Sequence, residues 1–185
     1  MPAQGATAAY FATGQHHRQA EVDAAQLRAA FGRLPAGVVV ITSTCPCGEL
    51  AGATVSSFTS LSFDPPLVCF GLTRHSKTLS AILGHSHFAV HVVGEQPQQQ
   101  QLAMRFAGDR ADKFSTVVYE LSPYGVPLLP VFQTVLQCVL ERAQPAGDHQ
   151  LLIARVLDVA LSDEEPSPVV WFQRGFRLCQ PPVDA

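Results

Sequence analysis

The chain has 185 residues, a length suited to one domain with tails. Hydrophobic residues make up 47% and charged residues only 15%, which excludes bulk disorder and leaves surface to be hidden against a second subunit or a ligand. A net charge of −3 excludes the basic footprint of nucleic-acid binding, and no apolar run approaches the roughly 18 residues of a membrane-spanning helix.

Met1 to Gln19 lacks the basic-then-apolar order of a secretory signal. The expectation is a flexible tail over 1–22, one domain over 23–179 and a short tail over 180–185, in a reducing cytoplasm. Asp23 caps a first helix, with Gln26 at the capping-box spacing and Leu27, Phe31 and Leu34 along one face. Pro35 and Gly37 end it. Two strand-like runs, 38–44 and 50–58, flank Cys45-Pro46-Cys47-Gly48-Glu49, a hairpin by its turn chemistry. Asp64-Pro65-Pro66 forces an extended break before a strand over 67–72.

Ser76 caps a short helix over 76–83, and a strand follows over 88–93. A Gln-rich helix over 98–106 places Leu102 and Phe106 on one side, and 108–130 reads as mostly irregular. Then the pattern alternates: Phe132, Thr134, Leu136, Cys138 and Leu140 share one strand face, with Gln133, Gln137 and Glu141 on the other. Pro145-Ala146-Gly147-Asp148 turns the chain into a strand over 149–159, and 169–172 with 176–178 form a last hairpin. Strands joined by short helices predict a mainly β fold, an antiparallel barrel with helical caps. The five cysteines form no disulfide framework, and three of them read as small hydrophobes.

Phosphate-binding loops of the Gly-x-x-x-x-Gly-Lys and Gly-x-Gly-x-x-Gly types are absent, as is a Gly-x-Ser-x-Gly elbow. The densest polar segment is 52–62, with six hydroxyl residues in eleven positions. Its hydroxyls serve either as local backbone caps or as partners of an oxygen-rich ligand. Arg74-His75-Ser76-Lys77-Thr78 stands at a helix start, where free N–H groups and the dipole favour an anion, or where the helix is merely capped. A third cluster, from Arg105 through Arg110 to Lys113-Phe114, mixes cations with aromatics. His149 opens a strand after a Gly turn, a place equally suited to a surface residue. His87 and His91 face the same way on one strand, yet no third ligand accompanies them, so no metal is expected.

Taken in order, "AFGRLPAGVVVIT", "GATVSSFTSLSFDPPLVCFGL", "HSKTLSAIL", "FAVHVV", "MRFAGDRADKF", "GVPLL" and "GDHQLLIARV" resemble the flavin reductase-like, split-barrel FMN-binding family. These are the short-chain NAD(P)H:flavin oxidoreductases that serve two-component monooxygenases. The resemblance covers about 24–178. It implies a Greek-key-like split barrel, a homodimer, and FMN or FAD in a groove at the barrel edge. It also implies NADH or NADPH as hydride donor and a monooxygenase that receives reduced flavin. The residues it carries over for the flavin are Thr54, Val55, Ser56, Ser57, Phe58, Ser76, Lys77, Thr78, Arg105, Phe106, Lys113 and Phe114. Ser76, Lys77, Thr78 and Arg105 are implied at the phosphate. His149 is implied beside the nicotinamide, as a positioning group rather than a nucleophile. The same fold admits two other functions: an oxidase or oxygenase that retains its flavin, and a non-catalytic flavin or haem carrier. The sequence departs from the family at His91, where Asn is usual, and at Cys45-Pro46-Cys47.

Overall fold

A computed structural model describes residues 22–108, 110, 112–164 and 167–179. Residues 1–21 of the tail expected over 1–22, and the tail expected over 180–185, lie outside the described residues. The chain divides after Arg33 into two compact units. In the first, helix α1 (Ala24–Phe31) starts at Asp23, whose carboxylate accepts from the Ala25 N–H. None of its residues is buried, so the face marked by Leu27 and Phe31 stays exposed.

In the second unit, an antiparallel sheet is built from β1 (Val39–Thr44), β2 (Leu50–Val55), β3 (Thr59–Phe63), β4 (Pro66–Thr73), β5 (His87–Val92), β8 (Thr134–Ala146) and β9 (His149–Leu161). The spatial order is β2-β1-β5-β8-β9-β4-β3, and the sheet does not close. Two small ribbons, β6 (Glu120–Leu121) with β7 (Pro127–Leu128) and β10 (Val169–Phe172) with β11 (Gly175–Leu178), complete the strands. Helix α2 (Lys77–His85) and helix α3 (Pro97–Ala107) are the helical parts. The mainly β expectation holds.

Strand alternation gives the sheet two apolar faces. On one, Ile41, Phe70, Phe88, Val90 and Leu152 pack with Leu79 and Ile82 of α2. On the other, Val40, Ala89 and Val135 pack with Ala103 and Phe106 of α3 and with Val126, Leu129 and Phe132. Cys138 lies in the first cluster, and burial pushes its thiol up to about 12, so it stays protonated and acts as a small hydrophobe.

Three local expectations are corrected. The strand over 50–58 stops early: β2 ends at Val55, 56–58 belong to no strand, and an unexpected strand, β3, starts at Thr59 and folds back on β4. Ser57 causes the break, because its Oγ accepts from the Gly71 N–H at 3.0 Å and so bonds across to β4. Asp64-Pro65 is likewise a tight turn between Phe63 and Pro66, which pair, rather than an extended break. Cys45 and Cys47 are bonded to each other, although a bridge over one intervening residue closes too short a loop to staple the fold. The hairpin closes on its own backbone bonds, Cys45 N–H to Glu49 O and Gly48 N–H to Cys45 O.

His91 accounts for its own burial. It is fully buried, its Nδ1 bonds the Val40 carbonyl at 3.1 Å, and its Nε2 accepts from the Leu129 N–H at 3.0 Å. Neither ring nitrogen is left for a metal. Gln99 plays a similar part at the start of α3: its Oε1 accepts from the Gly94 N–H, and its Nε2 donates to Val131 O. These two side chains fix the loop over 126–132 and the first turn of α3, which sets the helix that walls the site.

Candidate functional site

The ends of β2 and β4, the start of α2, the end of α3 and the stretch after it surround a cleft of about 1170 Å³. β2 supplies one wall: Leu50, Ala51, Gly52, Ala53, Thr54 and Val55, continued by Ser56 and Ser57. That strand approaches α3 closely because Gly52 has no side chain. A Cβ there would lie 2.5 Å from the Phe106 ring. Gly52→Ala is therefore expected to cost about 1–2 kcal/mol through overpacking, read as a lower urea midpoint at unchanged m-value. Thr54 secures the same contact by donating from Oγ1 to Ala103 O.

The start of α2 faces the cleft with His75, Ser76, Lys77 and Thr78. Ser76 is the N-cap, its Oγ accepting from the Leu79 N–H. The first-turn N–H groups, the positive end of the helix dipole and the exposed Lys77 ammonium together make this corner suited to an anion. Opposite stands the stretch after α3. Lys113 donates from Nζ to Gly52 O at 2.9 Å and to Phe106 O at 3.0 Å, and Phe114 packs edge-on against Phe106. Arg110 and Ser115 complete that wall.

His149, first residue of β9, reaches the cleft beside Gly71. A Cβ on Gly71 would meet Ser57 Oγ at 3.5 Å and His149 Cδ2 at 3.7 Å, so both side chains converge over bare backbone. The His149 ring bonds Asp148 Oδ1 through Nδ1 at 2.7 Å. That bond is the leading cause that holds the exposed Asp148 carboxyl below the usual range, with His149 charge adding to it.

Of the residues singled out in the sequence, Thr54, Val55, Ser56, Ser57, Ser76, Lys77, Thr78, Phe106, Lys113, Phe114 and His149 line this one cleft. Two do not. Phe58 turns into the core against Phe70. Arg105 lies on the far side of α3 and lines a separate groove with Met104 and Val117. Its guanidinium is spent on the loop, donating to Lys113 O, Asp112 O, Ser115 Oγ and Thr116 Oγ1. The sequence arguments assigned no role to Gly52 and Gly71, and named Arg110 only within a cluster. A glycine inside an apolar strand is the signal for the first two, since it marks a close approach.

Comparison with known proteins gives the family of the chain that carries this cleft. Residues 31–179 match the family described as the flavin reductase like domain. The chain belongs to this family. It is 36% identical over 155 residues to a flavin reductase of Pseudomonas putida, covering 84% of this chain and 89% of that protein. It is 32% identical over 160 residues to the reductase subunit HsaB of a flavin-dependent monooxygenase from Rhodococcus jostii, covering 86% and 80%. Among solved structures, the NADH:FAD oxidoreductase SgcE6 of Streptomyces globisporus, in complex with NAD and FAD fragments, superimposes with a TM-score of 0.78 at 31% identity. That match covers 88% of this chain and 96% of SgcE6. The flavin reductase-like domain thus carries its cleft between the walls that its own sequence segments, taken one by one, had marked.

The donor set fits a flavin nucleotide. The α2 corner has the N–H groups, hydroxyls and ammonium that a phosphate needs, and the β2 wall is apolar enough for a ring system.

Proposed function

We propose that this protein is an NAD(P)H-dependent flavin reductase: it binds FMN or FAD in the cleft, accepts NADH or NADPH beside it, and releases reduced flavin to a partner monooxygenase. The observation that carries this reading is the convergence of the β2 wall, the α2 corner and His149 on one cleft, in a chain of this family. The flavin supplies the ring atom that takes the hydride; the chain's own groups bind, orient and exclude water.

In this reading Ala53 and Val55, on one face of β2, back the ring, while Ser56, Ser57 and the adjoining backbone N–H groups meet its polar edge. Ser76, Lys77 and Thr78 hold the phosphate. Arg105 acts on the phosphate side only through the loop it braces. His149 meets the nicotinamide side over Gly71. The open sheet is read as the split barrel of the family. β3 and β9 leave Leu61, Phe63, Val159 and Leu161 exposed, Phe63 at 97%, and this apolar surface supports a homodimer. No helix among the described residues is long and apolar enough to cross a membrane, and the supply of nicotinamide coenzyme this reading needs favours a cytoplasmic location.

The test is multiple turnover of NADH or NADPH with free FMN or FAD in excess. Oxidation of coenzyme in proportion to added flavin is the expected result, and a protein that oxidises neither coenzyme at any flavin concentration overturns the reading. A flavin that stays with the protein through gel filtration points to retention instead. Lys77→Ala gives a finer check. Losing one exposed cation at a helix start is worth about 1 kcal/mol, so KM for FMN is expected to rise about fivefold. KM for riboflavin, which has no phosphate, should not move.

A further inference from the structure

We propose that Arg74 and Asp148, neither of which lines the cleft, are positioning residues that together set the orientation of His149. The inference rests on the flavin reductase reading, since it concerns how that site is held. His149 begins β9 directly after the two-residue turn Gly147-Asp148, and a ring at the mouth of a β-hairpin is only as well placed as the turn beneath it. Gly147 has φ +63°, a left-handed conformation that suits glycine and contributes no side-chain packing of its own. Something else must hold the turn.

Arg74 does so from outside the hairpin. It follows the last residue of β4, whose Thr73 pairs with His149. Its backbone N–H donates to Asp148 O at 3.1 Å, and its guanidinium donates to Gly147 O. Both carbonyls of the turn are therefore tied to one residue just beyond the end of the neighbouring strand. Asp148 then ties the ring. Its Oδ1 takes the bond to His149 Nδ1, which fixes the ring plane and leaves Nε2 as the nitrogen free for the cleft. Arg74 also lies close enough for its charge to favour the Asp148 carboxylate. Main chain, guanidinium, carboxylate and imidazole form one chain of contacts that ends on the cleft side, over Gly71 and Ser57.

The arrangement makes a specific claim: Arg74 and Asp148 act through His149 and on nothing else in the site. Arg74→Met removes the guanidinium donors while keeping the apolar stem. It is expected to raise KM for the nicotinamide coenzyme about tenfold, the loss of one charge-assisted bond, with KM for FMN unchanged. Arg74→Lys, which keeps one cationic donor, should recover part of that loss. Asp148→Ala should resemble Arg74→Met, whereas Asp148→Asn, which keeps the acceptor oxygen, should fall between.

The deciding measurement is a double-mutant cycle with His149→Ala. If Arg74 and Asp148 work only through the ring, each raises coenzyme KM in the wild-type background and has no further effect once the imidazole is gone. Thermal midpoints of all variants are read alongside, so that a general loss of structure is recognised by a lower midpoint together with a rise in both KM arms. Effects that multiply with His149→Ala, or that appear equally in the FMN arm, overturn the proposal. So does an Arg74→Met protein with wild-type kinetics. If the wild-type protein turns over no coenzyme at all, it is the flavin reductase reading that fails, and that outcome is visible before any variant is made.

Discussion

Arg105→Ala is expected to weaken flavin binding about 30-fold, although Arg105 lies outside the cleft. Its guanidinium makes four hydrogen bonds to residues 112–116, two to carbonyls and two to hydroxyls. Hydrogen bonds from a charged donor contribute roughly 1.5–3 kcal/mol when buried, and these are half-buried to exposed, so about 2 kcal/mol in all is a fair sum. That energy holds the wall in place. Lys113 and Phe114 face the cleft from this loop, and the bond of Lys113 to Gly52 O joins it to the β2 wall. Without the brace, binding must order the loop first, and 2 kcal/mol of ordering is about 30-fold in affinity. Arg105→Lys should restore little, because a single ammonium cannot reach carbonyls and hydroxyls on four residues in one plane. The check is KM for FMN together with amide exchange over 112–116. Faster exchange with unchanged KM would separate the loop from flavin binding, and unchanged exchange would remove the brace itself.

Lowering the pH from 7 to 4 is expected to remove about 3 kcal/mol of stability through His91 alone. Burial pushes the His91 pKa down from 6.5 to about 4, with the bond to Val40 O opposing that shift only in part. Above pH 6.5 the ring is neutral in both folded and unfolded chains and contributes no slope. Between 6.5 and 4 the unfolded chain takes up a proton that the folded chain refuses, so stability falls with pH at about 1.4 kcal/mol per unit. Below about 4 both states are protonated and the effect levels off. A proton on Nε2 would also break the bond accepted from the Leu129 N–H, which no rotation can restore. Urea unfolding at several pH values checks this, with His91→Asn as reference. The variant is less stable at pH 7, because Val40 O and Leu129 N–H lose a well-placed partner, yet its stability should fall less steeply on acidification. Equal slopes in the two proteins would exclude His91 as the source.

Much of the fold was legible from local chemistry. The alternation from Thr134 to Leu140, the Ser76 cap and the Gly147-Asp148 turn each name their element, because period, cap and turn are properties of a few adjacent residues. Phe132, by contrast, was expected on the Leu136 and Cys138 face but lies before β8 and packs in the opposite cluster. The break after Val55 was not legible. Its cause is a hydroxyl on Ser57 that finds the Gly71 N–H, fourteen residues away, and no window along the chain contains both. The candidate site divides in the same way. Hydroxyl density, the helix start and the His149 turn pointed to their segments, and the cleft brings those segments together. Arg105 and Phe58 were placed by motif, and which side of its element each occupies depends on packing partners far along the chain.

The low charge fraction that opened the sequence has a counterpart in the structure. Apolar surface is covered on both faces of one sheet, and more is left bare at β3 and the end of β9. By itself the sequence determined the residue types, their periods and the turns, and through them a mainly β chain of this family. Only the tertiary structure decided that Ser57 and His149 meet over a glycine, that Arg105 braces a wall instead of lining it, and that Arg74 holds the His149 turn. Each of those depends on a contact between strands or loops far apart in the chain, and such contacts exist only once the sheet has set their register.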